Sequence, residues 1–514
     1  MKGWLAVWLL ASALVSGCAV NPVTGRSELR LVPESTELNL GAEQYAPSRQ
    51  SQGGDYIARP ELVAYVRGVG NRLAAVSDRG LPYEFTVIND STPNAWALPG
   101  GKIALNRGLL TELGSEAELA AVLGHEIVHA AARHGAQGME RGILLQGAVL
   151  AAGVAASGTD YADLAVGGAG LGAGLLGQKY GRDAEREADY YGMQYMARAG
   201  YDPRAAIDLQ QTFVRLSEGK RSDWLSGLFA SHPPSQERVE ANRQTAQALP
   251  PGGDRGVERY RQQIAPLIAA KPAYAAYDDG RKALAKGDWQ QALTLADQAI
   301  AIEPKEALFY GLRGDALQKQ GKLREAVADY DRALNHNADY FLFYQQRGLA
   351  LQKLGEGSRA AADLEQGVKR LPTATALNAL GEHSLARGNR SQALKYFSAA
   401  AGSKSPAGEA ATRSLLRLDL PENPQKYLKI ALGLDSRGML QARLSNPTPV
   451  PIADLSYAVR FTDSSGRVQT VRRLWNGTLA AGNAVVVTVG LGPFSDLKGV
   501  QSAIVGARLL EGRQ

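Results

Sequence analysis

Apolar residues recur at the spacing of an α-helix in the segment that follows Ser115. The apolar face of this segment consists of Leu119, Val122, Leu123, Ile127 and Val128. Ser115-Glu-Ala-Glu118 has the form of a capping box, in which a serine and a glutamate satisfy free N–H groups at the start of a helix. The pattern therefore predicts a helix of about five turns that begins at this box.

Two shorter runs upstream have the pattern of β-strands. Residues 84–89 and 102–106 alternate or run apolar, and Pro99-Gly100-Gly101 indicates a turn between them. We expect an edge hairpin here, with an ordinary surface hairpin as the alternative. With the helices around it, this pattern predicts an α+β, mainly helical domain over residues 50–270.

Beyond residue 270, small residues recur with a period of 33 or 34 residues. The three series are Gly280, Gly314, Gly348 and Gly381; Gly287, Gly321, Gly355 and Gly388; and Ala292, Ala326, Ala360 and Ala393. This pattern is typical of tetratricopeptide repeats, in which small residues lie where two antiparallel helices cross closely. Residues 271–406 are therefore predicted to form four repeats, an all-α superhelix that binds protein segments or acts as a rigid spacer.

The last part of the chain, residues 425–514, changes to short β-type runs separated by turn sequences. A small all-β antiparallel sandwich fits this pattern, and the absence of clustered titratable residues favours a binding or positioning module. The composition agrees with a multidomain globular protein, with 45% hydrophobic and 21% charged residues. The net charge of +6 includes no long basic run, so we expect no nucleic-acid partner.

The N-terminus has the pattern of a bacterial lipoprotein signal. Lys2 precedes an apolar run, and Val15-Ser-Gly-Cys18 looks like a lipobox, which predicts a signal peptide over residues 1–17. Cys18 is the only cysteine, so we expect it to be lipidated, with residues 18–49 as the lipid tether and N-terminal segment. The alternative is an uncleaved signal anchor. Because Ala19 rather than Asp follows, the expected location is the periplasmic face of the outer membrane.

Two uncharged stretches, Gly142 to Thr159 and Leu164 to Gln178, lie at the lower limit for crossing a bilayer. Both are rich in Gly and Ala, and Asp160 and Asp163 separate them. We interpret them as buried or plug-like helices over the active site. The alternative is membrane contact, which would make the protein an integral-membrane protease.

The predicted helix contains His125-Glu-Ile-Val-His129. A spacing of four residues places both imidazoles on one side of a helix, where one zinc ion can bridge them. Glu126 follows the first histidine directly, and its carboxylate can take a proton from water at the metal. This motif predicts a zinc peptidase with one Zn²⁺ per chain.

A zinc site needs a third protein ligand, and three residues are candidates. His134 lies nine residues after His125, so a continued helix would turn it away and give it a structural or surface role. Glu185 is the stronger candidate because Asp189 shares its helix face and can act as an orienting partner. Glu187 is offset by about 200° from Glu185 and is expected on the solvated side.

Four motifs together resemble the gluzincin metallopeptidase family that includes the CAAX prenyl protease and HtpX. They are His125-Glu-Ile-Val-His129, Glu185-x-x-Ala-Asp189, Asn94-Ala-Trp-Ala-Leu-Pro-Gly-Gly101 and Ser231-His-Pro-Pro-Ser-Gln-Glu-Arg238. The resemblance implies that His125, His129 and Glu185 bind zinc, that Glu126 is the catalytic base, and that Asp189 hydrogen-bonds a ligand imidazole. One departure is Gly181, where relatives often have Ser before the Arg.

The resemblance also implies roles for His232 and Arg238 near the substrate carbonyl oxygen, where both could stabilise negative charge. His232 has two alternatives: an inhibitory fourth zinc ligand, or a structural residue that caps a Pro-rich turn. An exposed strand beside the zinc could pair with an extended substrate backbone and give broad specificity. The residues expected to do so are Asn94, Ala95, Trp96, Pro99 and Gly100.

The combination of this peptidase domain with tetratricopeptide repeats resembles periplasmic proteases of outer-membrane protein assembly. It implies a zinc endopeptidase that degrades misfolded or stalled envelope proteins, with the outer-membrane assembly machinery as an expected partner of the repeats. A C-terminal β domain is not usual in that type. The alternative is a chaperone or scaffold for outer-membrane protein assembly with latent or minor protease activity.

Overall fold

The computed structural model describes residues 18–144, 180–218 and 232–510. The chain divides into two compact units, Met1–Leu354 and Gly355–Gln514, and the boundary falls within the predicted repeats. The predicted signal peptide and nearly all of the two uncharged stretches lie outside the described residues. Within the described ranges, no helix combines the length and apolar character needed to cross a membrane.

The first unit begins with a small two-stranded sheet and continues with helices around a three-stranded sheet. Its strands are β1 (Cys18–Val20), β2 (Ser27–Leu29), β3 (Glu84–Ile88), β4 (Ala95–Leu98) and β5 (Lys102–Asn106). Its helices before the repeats are α1 (Glu34–Ser51), α2 (Pro60–Ala74), α3 (Arg107–Leu110), α4 (Glu116–Ala131), α5 (Arg182–Arg198), α6 (Ala205–Glu218), α7 (Gln236–Ala248) and α8 (Val257–Ala269).

The three-stranded sheet has the order β3-β5-β4, with β3 parallel to β5 and β4 antiparallel to it. The predicted hairpin between residues 84–89 and 102–106 is therefore wrong, because these runs pair in parallel. The turn at Pro99-Gly100-Gly101 joins β4 to β5 instead. All four residues of β4 are buried, so this strand lacks the alternation that would have revealed it.

Helix α4 begins at the predicted capping box. The Ser115 hydroxyl accepts a hydrogen bond from the Glu118 N–H, and the Glu118 carboxylate accepts one from the Gly114 N–H. Every residue of this helix is buried. The helix ends at Ala131, and Arg133 has a φ of 63°, which turns the chain before a new helical segment starts at residue 134.

The repeats form the predicted pairs of antiparallel helices. In the first unit they are α9 (Lys271–Ala285), α10 (Trp289–Ile302), α11 (Ala307–Lys319), α12 (Leu323–His336) and α13 (Phe341–Lys353). The second unit contains α14 (Gly357–Arg370), α15 (Ala374–Ala386), α16 (Arg390–Ala400) and the additional helix α17 (Pro406–Asp419).

The two glycine series of the repeats have different roles. A Cβ on Gly314 would lie 2.7 Å from the buried Tyr330 ring, and one on Gly381 would lie 2.5 Å from Phe397, so this series permits close helix crossing. The series of Gly287, Gly321, Gly355 and Gly388 has φ values between 76° and 83°. These glycines form the left-handed turns between paired helices, so helix crossing explains the first series only.

The first repeats pack against the part of the chain that precedes them, within the same compact unit. The buried Glu306 carboxylate accepts hydrogen bonds from the Asn89 amide and the Tyr274 hydroxyl. The Arg107 guanidinium lies 3.4 Å from the centre of the Tyr274 ring. The Gln50 carboxamide oxygen accepts a hydrogen bond from the Phe341 N–H. Buried polar contacts therefore attach the repeats of the first unit to its N-terminal part.

The C-terminal region has two three-stranded sheets that share one apolar core, as the predicted sandwich requires. The strands are β6 (Lys429–Leu434), β7 (Leu440–Ser445), β8 (Ile452–Thr462), β9 (Val468–Leu479), β10 (Ala484–Thr488) and β11 (Gln501–Leu509). The sequence pattern missed β11. The predicted fold class, a mainly helical α+β domain, all-α repeats and a small all-β region, is confirmed.

We expect Gly314→Ala to destabilise the repeats by about 1–3 kcal/mol, because the new methyl group would overlap a ring that has no room to move. Differential scanning calorimetry would record the lower unfolding temperature. Gly68→Ala is the control, since a methyl group there would contact no described atom within 4 Å and should stabilise α2 by up to about 1 kcal/mol. Equal unfolding temperatures for the two variants would contradict this packing role.

Candidate metal centre

Helices α4 and α5 approach each other closely at a pair of glycines. A Cβ on Gly192 would lie 3.1 Å from the His125 backbone nitrogen, and a Cβ on Gly124 would lie 3.1 Å from the Gly192 carbonyl oxygen. The two backbones are therefore in direct contact next to the first histidine of the motif. Neither glycine was predicted to belong to the site, although a glycine inside a helix beside a candidate ligand indicates close packing.

Four buried side chains converge beside this contact: His125, His129, Glu185 and His232. His125 Nε2 lies 3.0 Å from His129 Nε2 and 3.5 Å from Glu185 Oε2. His129 Nε2 lies 3.4 Å from Glu185 Oε1. His232 Nδ1 lies 3.2 Å from His125 Nε2 and 2.9 Å from Glu185 Oε1.

These separations fit the donor set of a tetrahedral zinc site. Nitrogen and oxygen ligands about 2.0–2.1 Å from zinc at tetrahedral angles lie roughly 3.3 Å from one another. Two imidazoles, a carboxylate and a third imidazole are also the ligand types that zinc prefers. The burial of His129 lowers its pKa well below the ordinary value, which keeps the ring neutral and able to bind a metal.

The Glu126 carboxylate is poised for proton transfer. Its Oε2 atom is buried and has no hydrogen-bond partner among the described residues, while its Oε1 atom lies 3.6 Å from His232 Nε2. Burial raises the pKa of Glu126 above its ordinary value. A carboxylate with a raised pKa and a free oxygen suits a general base that must later release its proton.

Asp189 contacts His125 at the ring nitrogen that faces away from the ligand cluster, and Arg238 contacts both Asp189 and Glu185. His125 Nδ1 is 2.9 Å from Asp189 Oδ1, and the Arg238 guanidinium donates to both Asp189 oxygens at 2.7 Å. Another nitrogen of Arg238 lies 2.9 Å from Glu185 Oε2. Burial raises the pKa of Asp189, but the pairing with Arg238 outweighs burial and keeps the carboxylate ionised. Asp189 can therefore fix the tautomer of His125.

His134 does not face away from the site, and Glu187 does not lie on the solvated side, as the helical spacing had predicted for both. His134 is 1% exposed, and its Nδ1 atom is 2.8 Å from His129 Nδ1. Glu187 is largely covered and faces His134 rather than solvent. The helical extrapolation failed because α4 ends at Ala131 and the positive φ of Arg133 turns the chain back. Tyr180, also missed, stacks on the His129 ring at a centroid distance of 3.9 Å.

A pocket opens beside Glu126. Its lining includes His125, Asp189, Arg238, Ala95, Met193, Met196, Leu209 and Phe213. The wall is thus polar at the ligand cluster and apolar elsewhere, as in many binding sites for small groups of a larger substrate.

Of the predicted substrate-binding residues, only Ala95 lines this cavity. The Trp96 indole N–H donates to the Gln52 side chain, and its ring packs on Tyr45. Pro99 and Gly100 pack against α1, since a Cβ on Gly41 would lie 1.8 Å from the Pro99 carbonyl oxygen. The Asn94 carbonyl accepts a hydrogen bond from the Asn106 N–H. These four residues support β4, the edge strand that carries Ala95.

The sequence model described as Peptidase family M48 matches residues 60–246, and two tetratricopeptide repeat models match residues 314–355 and 346–409. A Vibrio cholerae protein provisionally named a beta-barrel assembly-enhancing protease is 35% identical over 37% of this chain and 40% of its own length. The mitochondrial metalloendopeptidase OMA1 of Schizosaccharomyces pombe is 34% identical over 42% of this chain and 63% of its own length.

The beta-barrel assembly-enhancing protease of Escherichia coli strain K12 is 26% identical over 63% of this chain and 71% of its own length. The chain thus spans less than two thirds of the Vibrio and Schizosaccharomyces relatives. The matched family region contains His125, His129, Glu185, Asp189, His232 and Arg238. These matches confirm that the chain contains a peptidase domain and tetratricopeptide repeats, while the predicted domain bounds stay predictions.

We expect Gly192→Ala to weaken zinc binding about tenfold, because displaced ligands bind a metal less tightly. The added methyl group would meet backbone atoms of α4 and push α5, with Glu185, away from the histidines. Competition with a chelator would measure the affinity. Gly181→Ala is the matched control, since its methyl group would contact no described atom within 4 Å. Wild-type zinc affinity in Gly192→Ala would disprove this positioning role.

Proposed function

We propose that this chain, whose residues 60–246 match the model of peptidase family M48, is a zinc-dependent endopeptidase that acts on envelope proteins of the outer membrane. The observation that carries the proposal is the convergence of His125, His129 and Glu185 beside the unpartnered Oε2 of Glu126. A ligand set next to a buried free carboxylate is the arrangement that metal-assisted hydrolysis requires.

The chain's own residues divide the chemistry among them. His125, His129 and Glu185 hold the metal, and Asp189 with Arg238 fixes the orientation of His125. Glu126 Oε2 takes a proton from the attacking water and passes it to the nitrogen of the leaving amine. When bound, zinc supplies Lewis acidity that lowers the pKa of water towards about 7 and polarises the peptide carbonyl.

We assign His232 to the resting state as a fourth ligand. Its Nδ1 atom lies within 3.2 Å of His125 Nε2 and 2.9 Å of Glu185 Oε1, which is ligand spacing rather than the spacing of a donor to a carbonyl above the site. Since a catalytic zinc site keeps one position open, a fourth protein ligand would hold the enzyme latent. Arg238 acts through Asp189 and Glu185, with all its nitrogens already engaged.

Substrate recognition would use the edge strand and the cavity. β4 lies at the edge of its sheet, and Ala95 reaches the cavity next to Glu126. An extended polypeptide that pairs with this edge would bring a peptide carbonyl to the metal. The apolar wall of Met193, Met196 and Phe213 would then accept an apolar side chain. Affinity from backbone pairing favours broad specificity.

The substrate class follows from the relatives and the repeats. The Vibrio and Escherichia relatives carry the name beta-barrel assembly-enhancing protease, and tetratricopeptide repeats bind protein segments. We propose that unfolded or stalled outer-membrane proteins are the substrates and that the repeats contact the assembly machinery. Lipidated Cys18 would hold the enzyme on the periplasmic face of the outer membrane. The alternative remains a chaperone or scaffold in which cleavage is a minor activity.

Glu126→Gln should abolish cleavage of an unfolded outer-membrane protein and retain one zinc per chain, because it removes the base and leaves the ligands. Metal analysis and gel-based cleavage assays measure the two properties. Glu258→Gln, the same change at an exposed carboxylate, is the control. If Glu126→Gln restores a deletion strain as fully as wild type does, the chaperone alternative replaces the protease.

His232→Ala should raise the cleavage rate, since it opens the fourth coordination position while the other three ligands stay in place. A zinc titration should still reach one ion per chain. If His232 instead stabilises the transition state, kcat should fall about 100-fold, as for the loss of an oxyanion donor. Single-turnover cleavage of a labelled peptide distinguishes the two outcomes, and a fall in kcat would disprove the latent state.

A further inference from the structure

Each of the two motif histidines is linked to a carboxylate of α5, His125 directly and His129 through His134. For His125, the carboxylate is Asp189, backed by Arg238. For His129, the structure shows a second and longer chain of contacts: His129 to His134, His134 to Glu187, and Glu187 to Arg26. Arg26 lies just before β2, so this second series of contacts reaches the N-terminal segment, residues 21–32.

The contacts of the second chain are close and mostly buried. His129 and His134 meet through their Nδ1 atoms at 2.8 Å, and both rings are nearly inaccessible to solvent. His134 Nε2 lies 3.4 Å from Glu187 Oε2, and the other Glu187 oxygen accepts a hydrogen bond from Arg26 at 2.8 Å. Exposure rises along the chain, from 1% for the His134 side chain to 23% for Glu187 and 75% for Arg26.

Metal binding fixes the direction of these hydrogen bonds. A His129 ring that offers its Nε2 lone pair to a metal must carry its proton on Nδ1. That N–H then donates to His134 Nδ1, which leaves the proton of His134 on Nε2, where it faces the Glu187 carboxylate. Every donor in this series therefore meets an acceptor, and the series of hydrogen bonds from His129 ends at the Glu187 carboxylate. The opposite direction would place a proton on His129 Nε2 and block metal binding.

The N-terminal segment is anchored at the point where α4 ends. The Asn21 side-chain amide donates to the Ala132 carbonyl at 2.9 Å, and Glu28 accepts hydrogen bonds from Asn21 and Gln137. The Arg133 guanidinium, beside the turn, donates to the Val32 carbonyl oxygen at 3.0 Å. Residues 21–32 thus contribute to holding the turn before His134, together with the buried Glu37 carboxylate, which accepts a hydrogen bond from Arg133 at 2.9 Å.

We propose that His134 and Glu187 are positioning residues for His129, and that the N-terminal segment with Arg26 is part of the metal centre. This inference rests on the proposed function only in that His129 is a metal ligand. His134 fixes the ring of His129 and its tautomer, Glu187 fixes His134, and the docked segment holds the turn that brings His134 back. The segment that would serve as a tether thereby also shapes the metal site.

The burial of each contact sets the size of its effect. Loss of an orienting partner typically weakens metal binding about 10–100-fold, and His134 should show that full effect because it is buried and adjacent to the ligand. Glu187→Gln keeps an acceptor but removes the charge, so we expect a loss of several-fold. Arg26→Ala breaks an exposed ion pair and should change the affinity by about threefold or less.

The experiment compares His134→Ala with His134→Asn in the full chain. The asparagine Oδ1 atom can take the place of Nδ1 as an acceptor for His129, whereas alanine offers none. We expect His134→Ala to lose about 10–100-fold in zinc affinity and His134→Asn to recover most of it. Chelator competition measures the affinity, and the visible absorption spectrum of the Co²⁺-loaded protein reports the ligand geometry. His336→Ala, an exposed histidine of the repeats, is the control.

Two results would overturn the proposal. One is an unchanged zinc affinity and Co²⁺ spectrum in His134→Ala. The other is an equal loss in both His134 variants together with a lower unfolding temperature of the metal-free protein, which would reveal a purely structural residue. The proposed function fails separately: wild-type protein that binds no zinc disproves the ligand assignment, while zinc binding without cleavage disproves the peptidase and leaves the positioning role intact.

Discussion

The metal centre depends on one backbone contact, that between Gly124 of α4 and Gly192 of α5. A Cβ at either position would lie 3.1 Å from a backbone atom of the other helix, which is closer than ordinary van der Waals contact. Metal ligation tolerates errors of only a few tenths of an ångström, and the ligands come from both helices. A contact between rigid backbones fixes their separation better than one between flexible side chains could.

That closeness lets one short stretch of α5 serve three purposes. Glu185 faces the ligand cluster, Asp189 lies one turn further and orients His125, and Glu187 points elsewhere and reaches His134. The i, i+4 relation places the first two on one face. Glu187 finds a partner only because the chain reverses after α4 and carries His134 behind His129. This short acidic sequence therefore contacts the histidines of the motif on one side and His134 on the other.

The sequence predicted what depends on local spacing. The capping box, the ligand pair on one helix turn and the repeats follow from spacing. The third ligand followed from the shared helix face of Glu185 and Asp189 together with the resemblance to known peptidases, and the structure brings Glu185 to the histidines. The sequence did not predict the position of His134, which depends on where α4 ends. Arg133 takes a left-handed conformation that its residue type does not announce, so His134 was expected to face away. β4 was not predicted for a different reason: a strand that is buried on both faces has no alternation of apolar and polar residues.

The carboxylates around the metal centre need nearby positive charges to balance their negative charge. Glu126 and Glu185 are buried carboxylates, and the Asp189 side chain is 9% exposed. Among the described residues, Arg238 is the one guanidinium in contact with Glu185 and Asp189. Without a divalent cation, part of the positive charge that balances these carboxylates comes from His125. Burial lowers the pKa of His125, but the hydrogen bonds to Asp189 and Glu185 outweigh burial and raise this pKa to about 10. A divalent cation would replace that proton and balance the three carboxylates with Arg238, so metal binding must release a proton and strengthen as pH rises. The same acidic groups that orient the ligands therefore also supply the charge that retains the metal.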